Sequence, residues 1–248
     1  MRRLLSALAG LTTLASPAAG QVSPPVTDST TQSPPRWHVG FAADIGQPVG
    51  AFKQRVKNAA GGQAHVLLRL DRHGLTSLRM QAGWLNYGHE SQRSCVGTAP
   101  HCRVAVNLTT ANGIFSMALG PQFTVPVGKV RTFGYGLVGM SRFATVSGLG
   151  GGLVPDFVAA DENFGDGGVV LSGGIGLQLP VHRRTTIDAG VSYEHHGERR
   201  YLIKGGLTDQ PDGSLGFDIK RSTASLLAIR IGVTTTLGWG RRPSTSTP

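Results

Sequence analysis

Apolar–polar alternation repeated about eight times, links that run long and short in turn, and glycines and charges gathered on the polar face together define a fold class. They predict an all-β chain, an eight-stranded antiparallel up-and-down transmembrane β-barrel with a polar, side-chain-filled lumen. A chain of 248 residues is an ordinary length for one such domain.

The first 20 residues read as an export signal. Arg2 and Arg3 precede an apolar stretch from Leu4 to Leu14, and Ser16-Pro17-Ala18-Ala19-Gly20 supplies small residues for cleavage before Gln21. That stretch is shorter than the about 20 residues of a spanning helix, and no later run qualifies. Residues 21–35 form a Pro/Ser/Thr-rich leader without periodicity, expected to be disordered, and residues 240–248 form a similar tail. The barrel is assigned to residues 36–239.

The strands follow in order. The first sets Trp37, Val39, Phe41, Ala43 and Ile45 against His38, Gly40, Ala42 and Asp44, and the second sets Ala64, Val66, Leu68 and Leu70 against His65, Leu67, Arg69 and Asp71. The third opposes Leu78, Met80, Ala82 and Trp84 to Arg79, Gln81, Gly83 and Leu85. In the fourth, Phe115, Met117, Leu119, Pro121 and Phe123 oppose Ser116, Ala118, Gly120 and Gln122. Val104, Val106 and Leu108 carry the opposite phase, which predicts a bulge or loop near Asn112-Gly113. The fifth places Phe133, Tyr135, Leu137, Gly139 and Phe143 on the apolar face and Thr132, Gly134, Gly136, Val138 and Arg142 on the other. The sixth opposes Val169, Leu171, Ile175, Leu177 and Leu179 to Ser172, Gly174, Gly176 and Gln178. The seventh opposes Ile187, Ala189, Val191 and Tyr193 to Thr186, Asp188, Gly190, Ser192 and Glu194. The last carries Leu227, Ile229, Ile231, Val233, Leu237 and Trp239 against Ala228, Arg230, Gly232, Thr234 and Gly238.

Links after strands two, four and six are short, and those after one, three, five and seven are long, the asymmetry of barrels with periplasmic turns and outer loops. Basic residues recur at the short turns and after the last strand: Arg72, Lys129, Arg131, Arg183, Arg184, Arg241 and Arg242. At a membrane interface these would meet anionic headgroups.

Period two does not say which face meets lipid, and a soluble lipocalin-like barrel would turn the apolar face inward. The polar face decides for a membrane, because its small residues, Gly40, Gly83, Gly134, Gly136, Gly174, Gly176, Gly190, Gly232 and Gly238, suit a narrow lumen. Asp44, Arg69, Arg79, Arg142, Asp188, Glu194 and Arg230 share that face and form a candidate lumen charge network. A cation at the lipid midplane would instead cost about 2–4 kcal/mol. Trp37, Trp84, Phe123, Phe133, Phe143, Tyr193 and Trp239 lie toward strand ends, as an aromatic girdle at the headgroups requires.

Removing Arg2 and Arg3 lowers the formal charge from +10 to +8. The cations are scattered rather than gathered on one face or helix, which argues against nucleic acid as a partner. Cys95 and Cys102, the only cysteines, suit a short-loop disulfide in an oxidising compartment. A zinc site there would have only His89 and His101 to complete it.

Glu194, His195 and His196 suggest acid–base or metal work, but alternation sends His195 outward and its two neighbours inward. The stretch Asp161-Glu162-Asn163-Phe164-Gly165-Asp166-Gly167 resembles part of a calcium loop, with oxygen ligands at alternate positions but without the later bidentate glutamate. No catalytic, metal or cofactor residue is assigned.

On these strands, on the loop asymmetry and on the ending Gly-Val-Thr-Thr-Thr-Leu-Gly-Trp, residues 36–239 resemble the small outer-membrane β-barrels, OmpA-like and opacity-type, which are porin-like in architecture. Here Gly240 and eight further residues follow Trp239. The resemblance implies residence in the cell outer membrane, contact with its lipids, and assembly by the barrel-assembly machinery through that terminal signal. Some barrels of this size modify lipid A with a Ser and a His at the outer rim. Ser192 lies near His196 and Glu194, yet the family's His-x-Ser pattern is absent. The expected role is non-enzymatic: structure or surface interaction through four long extracellular loops, which would contact any extracellular ligand. A narrow channel for small solutes is the alternative, followed by a soluble binder or a lipid-A-modifying enzyme.

Overall fold

The computed structural model describes residues 36–96, 104–149, 160–209 and 215–237. β-branched and aromatic residues in period-two order favour strands. The barrel strands are β1 (Trp37–Val49), β2 (Ala59–Arg69), β3 (Thr76–Val96), β4 (Val104–Val127), β5 (Val130–Leu149), β6 (Ala160–His182), β7 (Thr185–Tyr201) and β10 (Lys220–Leu237). A small hairpin, β8 (Leu207–Asp209) with β9 (Leu215–Phe217), lies between β7 and β10. Each barrel strand pairs antiparallel with its sequence neighbour, and β1 pairs with β10 to close an eight-stranded barrel.

Link lengths alternate as expected. At one end, β4–β5 and β6–β7 join through two residues each, Gly128-Lys129 and Arg183-Arg184. Gly128 takes φ +63°, the left-handed start that a tight hairpin demands and that a side chain resists. The six-residue β2–β3 turn is held by Asp71, whose carboxylate accepts the Leu75 amide at 3.0 Å and the Thr76 amide at 2.8 Å. These bonds, that from Thr76 foremost, hold the Asp71 carboxyl below the usual carboxylate range.

At the other end the strands outrun a membrane: β3, β4, β5 and β6 have 21, 24, 20 and 23 residues, where a bilayer needs about 9–11. Much of what alternation alone left as loop is paired strand. The Asp161–Gly167 stretch, read above as part of a calcium loop, is strand in β6. Glu162 binds Arg142 at 2.5 Å, and Asp166 accepts the Arg200 amide at 2.7 Å. Neither carboxylate stands in a ligand loop.

The bulge expected near Asn112-Gly113 is not in β4. That strand runs unbroken, and the register shifts in its neighbour β3, between Asn86 and Gly88, opposite those two residues. An extra residue there, Tyr87, is turned inward and buried.

Candidate functional site

Two side-chain clusters fill the barrel. In the half toward the short turns, polar residues on different strands meet across the lumen. Arg230 on β10 donates to Ser192 Oγ on β7 at 2.9 Å and to the Tyr135 hydroxyl on β5, and its Nε lies 3.6 Å from Asp44 Oδ1 on β1. Arg79 on β3 donates to Gln122 Oε1 on β4 at 2.8 Å and to Gln81 Oε1 at 3.1 Å. The Tyr135 ring carries both guanidinium groups, Arg79 at 4.6 Å and Arg230 at 5.4 Å from its centroid. Asp188 accepts from the Thr234 and Thr186 hydroxyls. Because Thr234 gives its one proton to Asp188, His65 Nε2, 3.0 Å away, must be the donor to Thr234.

Asp44, Arg79, Asp188, Glu194 and Arg230 are all buried, with Arg69 half-buried at the short-turn mouth. Five of the seven candidate charges are thus buried inside the barrel, and Arg69 stands at its mouth. Arg142 does neither: its side chain is 61% exposed on the outer face, paired with Glu162.

Arg142 marks a wider correction, because β5 is rotated half a turn relative to expectation. Phe133, Tyr135, Leu137 and Phe143 are buried inside, while Val138 and Met140 are 57% and 71% exposed outside. Gly134 and Gly136 consequently lie on the outer face as well. Phe133 and Phe143 do not belong to the girdle. The cause is complementarity with β6: a Cβ on Gly174 would sit 2.5 Å from the Tyr135 ring, and one on Gly176 2.5 Å from Phe133. The glycines make the space that those rings fill.

The second cluster closes the loop end. The β1–β2 link makes a 3₁₀ turn, Phe52–Gln54, that drives Phe52 and Val56 into the barrel. Phe52, fully buried, packs edge-on against Tyr201 at 5.0 Å, Tyr87 at 5.7 Å and Phe143 at 6.1 Å. Leu85, Ile114 and Leu226 surround these rings. The Tyr87 hydroxyl donates to the Leu202 carbonyl at 3.1 Å, so its polar end is not stranded. Alternation did not reveal this closure, since Phe52 and Val56 sit in a link. Their four-residue spacing amid Lys53, Arg55 and Lys57 was the available signal.

His196, with no exposure, lies edge-on to Phe143 at 5.4 Å and 3.6 Å from Glu194. His195 instead points away and contacts Ser225 Oγ at 2.9 Å, so the two imidazoles do not converge. Ser192, considered above as a nucleophile, is buried in the lumen as an acceptor for Arg230. Cys102 lies outside the described residues, and with it the Cys95–Cys102 pairing. Trp239, the signal peptide, the leader and the tail lie outside them too.

The outer surface is a band of Phe41, Ile45, Met80, Phe115, Met117, Leu119, Val138, Met140, Ile175 and Ile231, each at least 42% exposed. Trp37, Phe123, Trp84 and Tyr193 stand on that same outer face, 48%, 56%, 36% and 47% exposed. Apolar side chains outside a closed barrel and paired charges within it invert a soluble protein, and only hydrocarbon solvates such a surface. The chain is an outer-membrane β-barrel. Short turns close one end of it and long hairpins extend from the other.

No family model matches this barrel, and no curated protein matches it. Among solved structures it is similar to Neisserial surface protein A, at 12% identity over 81% of this chain and 97% of that one, TM-score 0.48. It is also similar to a major outer membrane protein from Thermus thermophilus (12% identity, 80% and 98% covered, TM-score 0.46). A third is Ail, the attachment invasion locus protein of Yersinia pestis (16% identity, 81% and 95% covered, TM-score 0.40).

Proposed function

We propose that this barrel is a closed, non-conducting scaffold whose role is structural or interactive, exercised through the hairpins that it raises beyond the outer leaflet. The observation that carries the reading is the double closure of the lumen, by the Arg230–Tyr135–Arg79 network and by Phe52 with its aromatic neighbours. An eight-stranded interior is just wide enough for its own side chains, and here they meet across it. The extensions of β3 to β6 provide rigid, hydrogen-bonded projections. Phe217 at the end of β9 and Ile219 just beyond it, 42% and 43% exposed, offer apolar contact. Against catalysis stands the burial of Ser192, which no acyl chain in the leaflet would reach.

Planar-bilayer recording on the refolded protein tests this reading. The expected trace has no unitary steps. Stable, reproducible steps would overturn it in favour of a narrow channel.

A further inference from the structure

The two rims of the barrel differ in charge. At the outer rim, cations and acids are interleaved and partly paired: Arg142 with Glu162, Arg221 with Glu198, Lys220 with Asp218. The periplasmic rim holds Arg36, Arg69, Arg72, Lys129, Arg131, Arg183 and Arg184, and the only acid of its described turns is Asp71. Asp71 is occupied by the Leu75 and Thr76 amides, and among the described residues none of the seven cations is in an ion pair of 4.0 Å or less with a carboxylate. The turn tips Arg72, Lys129, Arg183 and Arg184 are exposed and spaced around the circumference, one turn at every second strand.

Each tip adjoins the apolar band. Leu70 and Leu75, 61% and 43% exposed, flank Arg72; Val125 and Val127, 55% and 59%, precede Lys129; Leu179 and Val181, 47% and 52%, precede Arg183. Every turn thus sets an unneutralised cation immediately beyond side chains that sit in hydrocarbon. That is the depth of a phosphate headgroup.

We infer that the periplasmic rim is a collar that selects anionic phospholipids, a phosphatidylglycerol-like headgroup held at Arg72, Lys129, Arg183 and Arg184 with its acyl chains on the adjoining apolar residues. The separate cations of the collar act on separate lipids, so the preference is graded in cation number and is weakened by salt. Each cation near an anionic surface contributes up to about fivefold. The collar gathers lipids of the inner leaflet around the barrel, whatever the outer hairpins bind.

The test is electron paramagnetic resonance of the mature protein in phosphatidylcholine bilayers containing spin-labelled lipid. It compares the motionally restricted fraction for phosphatidylglycerol and phosphatidylcholine labels. The wild type is expected to prefer phosphatidylglycerol at least about twofold at low salt, and less as salt rises. R72Q/K129Q/R183Q/R184Q should bring the ratio close to one, and R183Q/R184Q alone should remove part of the excess. Heat-modifiable migration in gels identifies the folded variants, and the double variant carries the test if the quadruple one does not fold. K53Q/R55Q/K57Q at the outer rim should keep the wild-type ratio. Equal restriction of both labels by the wild type, unchanged selectivity in the folded collar variants, or equal loss in the outer-rim variant would each overturn the collar. Displacement by inorganic phosphate at matched ionic strength would also overturn it, in favour of a free-anion site.

Discussion

The short-turn and long-hairpin halves of this lumen are closed by opposite chemistry. Below, charged and amide side chains borne on the wall meet across the interior: Arg230 and Arg79 both reach side chains on other strands and the Tyr135 ring, and Arg79 keeps one further bond to Gln81 on its own strand. Above, a link leaves the wall, turns inward and buries an aromatic side chain among three others. The wall-borne network depends on register, because a slip of one residue would carry every member to the lipid face. The plug depends on one loop. Closure from the wall is therefore expected to be inseparable from barrel stability, and closure from the loop to be removable.

Arg230→Ala should have the largest effect. It leaves Asp44, buried in the lumen, without its cation, and breaking a buried pair costs about 3–5 kcal/mol. Denaturant unfolding in micelles is expected to show that loss, with little folded, heat-modifiable protein remaining. Phe52→Ala should cost about 3 kcal/mol, at the low end for a buried Phe because the link can partly collapse into the space. Unlike the first variant it should leave a folded barrel, open at its outer half, and urea titration with a bilayer recording separates the two outcomes. If both variants unfold the barrel equally, the distinction between the halves is lost.

Val138→Arg sharpens the comparison at the wall itself. With Val138 on the lipid face, an arginine there should cost about 2–4 kcal/mol in reversible folding into bilayers. A cost near zero would return Val138 to the lumen and undo the rotation of β5. The smallest effect is local. Asp71→Asn should weaken the β2–β3 turn and speed hydrogen exchange at the Leu75 and Thr76 amides without altering the midpoint for the barrel. In the wild type the Asp71 carboxyl titrates below its unfolded value, so its contribution is full above the unfolded value and is lost as pH falls through the folded one. Protection at those two amides should drop over that acidic range only.

Seven of the eight strands place their faces where alternation puts them, because each has one face that is apolar through its middle. β5 has apolar groups on both faces: Phe133, Tyr135 and Leu137 on one, Val138 and Met140 on the other. Alternation there fixes the period and leaves the phase open. Arg142, assigned to the lumen with that phase, is no guide to it, since an arginine on the part of a long strand that outruns the bilayer can stand outside, as this one does with Glu162. The network was legible as a set of charges but not as a set of partners. Tyr135, His65, Gln122 and Ser192, which join those charges, are neutral residues that composition does not single out.

Period-two alternation, the short–long order of the links and glycines on one face were sufficient to determine an inside-out barrel, since each is a local property that backbone geometry converts directly into a face. The phase of β5 and the inward fold of the β1–β2 link were decided only by the closed structure. Both turn on whether a ring fits a space made by residues distant in sequence: Tyr135 and Phe133 over Gly174 and Gly176, and Phe52 among Tyr87, Phe143 and Tyr201. Such spaces exist only once the eight strands have closed, because packing is a property of the neighbours rather than of the strand.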